Sequence, residues 1–211
     1  MLARLEAPPL SSVVSGPTPE VLAHVRDPAT TLAIWNRLPR LRPRREAAAL
    51  AGAGPFSIVA EDSPSRLAAA LVQALPLPAP ALLAEVTLLA RHFAAIAGVV
   101  TVRARLEALI ERGCPVFHAD HVGLRLLVAY AGPGTEWVPD TGVNRAALGS
   151  GSNRAIVPDP RAIRRLPEFA AGILKGEAFP GNRGRGVVHR SAPASRARPR
   201  LLLCLDEPGR F

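Results

Sequence analysis

The sequence predicts an α+β chain in which N-terminal helices buttress a small C-terminal β-sandwich or jelly roll. Three observations carry that expectation. Helix-start signals and prolines punctuate roughly the first eighty residues. A long apolar helix pattern follows them. From Val99 the apolar residues switch from helical spacing to alternation, the period of a strand with one buried face.

The elements follow in order. Thr18-Pro19-Glu20 offers a hydroxyl at the N-cap and proline at the first helical position, leading into "EVLAHVR". "TTLAIW", Thr30 to Trp35, reads as a short strand. Ser63-Pro64 repeats the start signal before "SRLAAALVQAL". "PLPAPA", Pro76 to Ala81, is a stiff joint because proline fixes the backbone and removes donors. A helix is expected over Leu82 to Ala97. The organisation is therefore a helical and loop region, 1–80, and a helix plus jelly-roll core, 81–211. In "VVTVRARLEALI", Val100, Val102, Ala104, Leu106, Ala108 and Ile110 lie on one side, with Thr101, Arg103, Arg105 and Glu107 on the other. "VFHADH", "LRLLVAY", a turn at Gly132 to Gly134, and "TEWV" come next. A Gly, Ser and Asn-rich loop and a helical piece near "DPRAIRRL" precede two last strands, "GVVHRS" and "RLLLCLD".

A chain of 211 residues suits one domain, or one with an added subdomain. Apolar content of 48% against 20% charged residues places it with globular proteins. The net charge of +9 invites a nucleic-acid partner. Yet Lys175 is the only lysine, and arginine, scattered throughout, rises with alanine and proline as in a GC-rich coding sequence. A solvated basic surface explains the charge. The densest cluster, "RLPRLRPRRE", has no aromatic platform after Trp35, so nucleic acid is left open but not indicated. "MLARLEAPPL" lacks the apolar core of a signal peptide. The most hydrophobic window contains Glu85, Arg91 and His92, which reads as a core helix and not a membrane span. Two cysteines make no disulfide framework, and a reducing cytoplasm is the expected compartment.

The chemistry concentrates in "CPVFHADHVGLRLLVAY", Cys114 to Tyr130. If Phe117 onward is extended, His118 and Asp120 leave one face and Ala119 and His121 the other. Such a pair is half a metal site, or else a hydrogen-bonded polar pair. Taken with His189, two imidazoles and one carboxylate on one side of a metal leave the opposite positions open, an arrangement suited to non-haem iron(II). On zinc the same donors would leave a place for water.

These segments resemble the double-stranded β-helix of 2-oxoglutarate/iron(II) dioxygenases. "FHADH" sits where that family carries its His-x-Asp, and "AYAGPGTEWV" resembles its Gly-Gly-x-Thr-x-aromatic hairpin. "LKGEAFPGNRGRGVVHRS" resembles the stretch leading to its distal histidine, with Glu177 where Asp is commoner. Arg200 stands where that family places the arginine for the cosubstrate's distal carboxylate, with Arg198 and Arg190 as rivals. Tyr130 either donates to that carboxylate or caps the core. The whole chain also resembles a bacterial family known only as a domain of unknown function. The resemblance implies an Fe(II)/2-oxoglutarate-dependent oxygenase whose metal is held by His118, Asp120 and His189, acting on a small molecule or protein that the sequence does not name. The alternative is a non-catalytic zinc-binding or metal-homeostasis protein on the same fold, with Cys114 or His121 recruited. Oligomeric state is not legible.

Overall fold

The structure is a computed structural model and describes residues 12–209. The expectation for "MLARLEAPPL" lies outside the described residues. In chain order, β1 (Val13–Gly16) leads to a 3-10 helix (Pro19–Arg26) and β2 (Leu32–Trp35). Then come α1 (Leu41–Gly52), β3 (Phe56–Asp62), α2 (Pro64–Val72) and α3 (Pro80–Ala97). The strands β4 (Val102–Leu109), β5 (His118–Ala119), β6 (Leu124–Ala131) and β7 (Glu136–Val138) follow. After α4 (Asn153–Ile156) the chain ends in β8 (Arg164–Arg165), β9 (Ala171–Lys175), β10 (Val188–Arg190) and β11 (Arg200–Asp206).

Two sheets result. The larger has seven strands in the order β1-β2-β9-β6-β11-β4-β3, and the smaller has four in the order β5-β10-β7-β8. Apart from β1–β2, β3–β4 and β7–β8, neighbouring strands are not consecutive in sequence, as in a jelly roll, and every pairing except β1 with β2 is antiparallel.

Alternation decides which side each residue serves. In β4, Val102, Ala104, Leu106 and Ala108 are buried, and with Leu201, Leu203 and Leu205 of β11 they meet the helices. The helix α3 closes that core with Leu82, Val86, Leu89, Ala90 and Phe93, spaced at helical intervals. Its length and apolar composition would suffice to cross a membrane, but this face packs into the core. A second cluster, with Leu32, Ile34, Leu127, Leu174, Val187 and Cys204, fills the space between the sheets. Phe117, Val138, Ile156, Val157 and Val188 form a third on the outer face of the smaller sheet.

The first eighty residues hold more strand than their helical punctuation suggests. They supply β1 and β3, the two edges of the larger sheet, as well as β2. "EVLAHVR" folds as the 3-10 helix, and the arginine-rich stretch after Trp35 runs into α1.

Candidate metal centre

His118 is the first residue of β5 and His189 the middle residue of β10, and the two are Cα partners across an antiparallel pair. Val188 and Ala119, the next pair in register, turn outward toward the third cluster, so both imidazoles turn inward between the sheets. Asp120, two residues beyond His118, returns to the same side. Its Oδ1 lies 3.3 Å from His118 Nε2 and its Oδ2 lies 3.2 Å from His189 Nε2. One potential ligand atom from each residue falls within 4.8 Å of the others. The spacing read from the sequence is thus met in three dimensions, across a gap that no local pattern spans.

The backbone sets the imidazole tautomers. His118 Nδ1 lies 2.9 Å from the Val116 carbonyl oxygen, and His189 Nδ1 lies 3.0 Å from that of Val187. A carbonyl only accepts, so each Nδ1 carries a hydrogen; Nε2 then donates to Asp120 while the ring is an imidazolium and presents an inward lone pair once the ring is neutral. This outer contact orients a metal-ligating histidine.

Asp120 is held from behind by Arg125 of β6, whose Nη1 donates to Oδ2 at 2.7 Å. The same guanidinium forks onto Asp206, Nε to Oδ1 at 2.7 Å and Nη2 to Oδ2 at 2.8 Å. Burial by itself would raise the Asp120 carboxyl. Hydrogen bonds with His118 and His189 and the charge of Arg125 overcome it and hold the group well below the usual carboxylate range. The hydrogen bond to Asp120 raises His118, against burial. Neither Arg125 as partner nor Asp206 emerges from the sequence. They are 81 positions apart, and only the β6–β11 pairing, Asp206 opposite Arg125, unites them.

Arg200 opens β11 on the face that also carries Cys204 and Asp206, toward the space between the sheets. It is fully buried. Nε donates to the Pro133 carbonyl at 2.7 Å and Nη1 to Ser191 Oγ at 3.3 Å, while Nη2 is buried without a partner among the described residues. Burial lowers this guanidinium to about 10. The rivals lie elsewhere. Arg190 is on the outward side, donating to Glu136 at 2.7 Å and stacked 4.2 Å over the Phe117 ring. Arg198 is exposed, in a turn closed with Ser195.

Tyr130 is a correction. It packs in the helix-side core, edge-on to Phe169 at 5.2 Å, on the far face of the larger sheet from the triad. Leu124, Leu126 and Val128 precede it on that face at every second position, which carries Tyr130 there too. Its hydroxyl lies beside Arg37 and meets no partner at hydrogen-bonding geometry among the described residues. It therefore does not reach a cosubstrate at the triad. His121 and Cys114 are exposed and lie outside the triad. Trp137, Cα partner of His189 and packed against the inter-sheet cluster, is a wall of the site that the motif alone did not single out.

The fold has solved counterparts. The rice dioxygenase for auxin oxidation is similar over 92% of this chain and 81% of its own, at 15% identity and a TM-score of 0.50. A prolyl-4-hydroxylase of Pseudomonas putida aligns over 89% of this chain and 96% of its own, at 13% identity and a TM-score of 0.45. A full-length Neurospora crassa protein, solved in complex with α-KG and 5-formyluracil, aligns over 92% of this chain and 83% of its own, at 12% identity and a TM-score of 0.43. The likeness to the rice structure defines the class: helices packed on a jelly roll of the kind found in a dioxygenase. The chain itself belongs to the family described as a protein of unknown function, DUF1826, whose profile matches residues 16–206. None of the curated proteins compared with it matches.

Proposed function

We propose that this protein is a non-haem Fe(II)/2-oxoglutarate-dependent oxygenase acting on a small molecule or a protein. One observation carries the reading: two imidazoles with inward Nε2 lone pairs meet one carboxylate between the sheets of a jelly roll. That donor set suits iron(II) with open positions opposite the protein ligands. The orphaned Nη2 of Arg200, buried on the same inter-sheet side, fits the distal carboxylate of a dicarboxylic cosubstrate. The dioxygenase fold of the rice structure is a further support.

In this reading His118, Asp120 and His189 hold the metal, and Arg200 orients the cosubstrate. Iron with 2-oxoglutarate supplies the oxidising power for hydroxylating a C–H bond. The protein's part is placement. The Val116 and Val187 carbonyls keep both rings aimed, Arg125 keeps the Asp120 carboxylate aimed and charged, and the Leu32, Leu127, Leu174 and Cys204 cluster excludes water.

The test is an anaerobic titration of metal-free protein with iron(II) and then 2-oxoglutarate. The expected result is a weak visible charge-transfer band that needs both and is lost in His118→Ala and Asp120→Ala. Turnover retained in either variant overturns the assignment. The second reading, a non-catalytic zinc-binding module, draws on how fully apolar side chains occupy the inter-sheet space. It predicts tight zinc at the same three residues and no band.

A further inference from the structure

We propose that Arg125 is a positioning residue that limits the metal centre to three protein donor atoms. The inference rests on the metal-centre reading above and concerns how many positions that centre keeps open.

Two carboxylates, one just past the end of β5 and one on β11, share one guanidinium. Asp120 Oδ2 accepts from Arg125 Nη1 at 2.7 Å. Asp206, the last residue of β11, accepts from Nε and Nη2 with its two oxygens. The Cys204 thiol adds a contact to Asp206 Oδ2 at 3.5 Å, and Arg103 stands opposite Asp206 in register on β4. Asp206 is thereby held back from the two imidazoles by the width of an arginine fork. Asp120 Oδ2 is shared between that guanidinium and His189 Nε2, 3.2 Å away, while Oδ1 lies 3.3 Å from His118 Nε2 with no hydrogen bond from Arg125.

The count of donors decides what the centre can do. In a six-position shell, two imidazoles and one carboxylate oxygen leave three places, enough for a two-point chelating cosubstrate and one further ligand. A second carboxylate oxygen, from either aspartate, would take one of them. A planar guanidinium with five donors can bind both carboxylates at once, which a lysine ammonium cannot do with the same geometry. A positive charge beside a divalent cation opposes its binding. Arg125 therefore serves openness of the centre at the expense of affinity, and Asp206 is the counter-charge that keeps it there.

The probe is cobalt(II), added anaerobically to metal-free protein and followed by its visible spectrum, which reports coordination number. Arg125→Met frees both carboxylates; Arg125→Met with Asp206→Leu removes the spare one and replaces a buried ion pair by apolar groups. The single variant is expected to bind cobalt(II) more tightly by roughly tenfold, with a changed spectrum, and to bind 2-oxoglutarate on the loaded protein more weakly by a similar factor. The double variant is expected to return spectrum and cosubstrate binding toward wild type. If the single variant does not fold, Arg125→Lys is measured in its place and is expected to move in the same direction. An unchanged spectrum and affinity overturn the proposal. So does loss of cobalt(II) binding that the double variant fails to restore, since Arg125 would then be only scaffolding. A wild-type protein that takes cobalt(II) but not 2-oxoglutarate sinks the oxygenase reading, while the cobalt(II) spectra still decide the role of Arg125.

Discussion

His118 and His189 are Cα partners across the β5–β10 pair, and their ring centroids stand 4.7 Å apart with the planes inclined at 48°. Neither ring can move without disturbing the other or the carboxylate between their Nε2 atoms. The two rings and the Asp120 carboxylate therefore form one small network, and the first and last of the predictions that follow bear on its parts.

In metal-free protein the bond to Asp120 lifts His118 above its ordinary 6.5. A histidine that holds its proton more firmly when folded adds stability that is complete below the unfolded value and fades as pH rises through the raised one. Asp120 works in the opposite sense, adding stability that is complete above its unfolded 3.8 and lost progressively as the pH falls below it. The metal-free protein should therefore melt higher at about pH 6 than at about pH 8.5, and His118→Asn should flatten that difference. Metal uptake should show the reverse trend, because the metal and the proton compete for Nε2. Thermal melts and metal titrations across this range check both.

Arg200→Met should leave metal affinity unchanged and weaken 2-oxoglutarate binding. Loss of a charge-assisted hydrogen bond costs about 1.5–3 kcal/mol, or roughly 10- to 100-fold in affinity. Burial has already brought this guanidinium down to about 10, so cosubstrate affinity in the wild type should fall as pH rises through that value. Titrations of the metal-loaded protein provide the measurement. Equal losses of metal and cosubstrate binding would argue for a structural role alone.

Tyr130→Phe should do nothing to cosubstrate binding. Its hydroxyl is buried in the helix-side core without a hydrogen bond among the described residues, so its removal should be neutral or stabilise the fold by up to about 1 kcal/mol, measured by denaturant unfolding.

Gly176→Ala should damage the centre without touching a ligand. A Cβ at this position collides with the carbonyl oxygens of Val122 and Asp120, and Glu177 N donates to that same Asp120 oxygen at 2.8 Å. The expected outcome is metal affinity lowered on the order of tenfold, with the change in melting temperature largely recovered at saturating metal.

What could be read from the sequence was what lies close along it. His118 and Asp120 are two apart, so the parity of a strand puts them together whatever the rest of the chain does. The alternation of β4 and the start signals of α2 and the 3-10 helix are local in the same way. β3 is seven residues whose partner is β4, across two helices, and nothing in "FSIVAED" announces that pairing. Joining His189 to the pair needed resemblance as well as pattern. Tyr130 shows the limit most plainly: it ends a strand near the site in sequence, yet it shares the parity of Leu124, Leu126 and Val128, and the ring enters the opposite core. Arg125 and Asp206 each look like ordinary strand-end charges until β11 is laid beside β6.

The antiparallel register gives the centre a local two-fold axis, running midway between His118 and His189. Rotation about it exchanges Val116 with Val187, whose carbonyls accept the two Nδ1 hydrogens in the same way. It also exchanges the positions of Asp120 and Ser191, each two residues past its histidine. One half of this near-symmetric cradle thus ends in a carboxylate turned to the imidazoles, and the other in a hydroxyl turned to Arg200 at 3.3 Å. The handedness of the site, with its carboxylate on one side and its buried guanidinium on the other, comes down to which member of that exchanged pair is the acid.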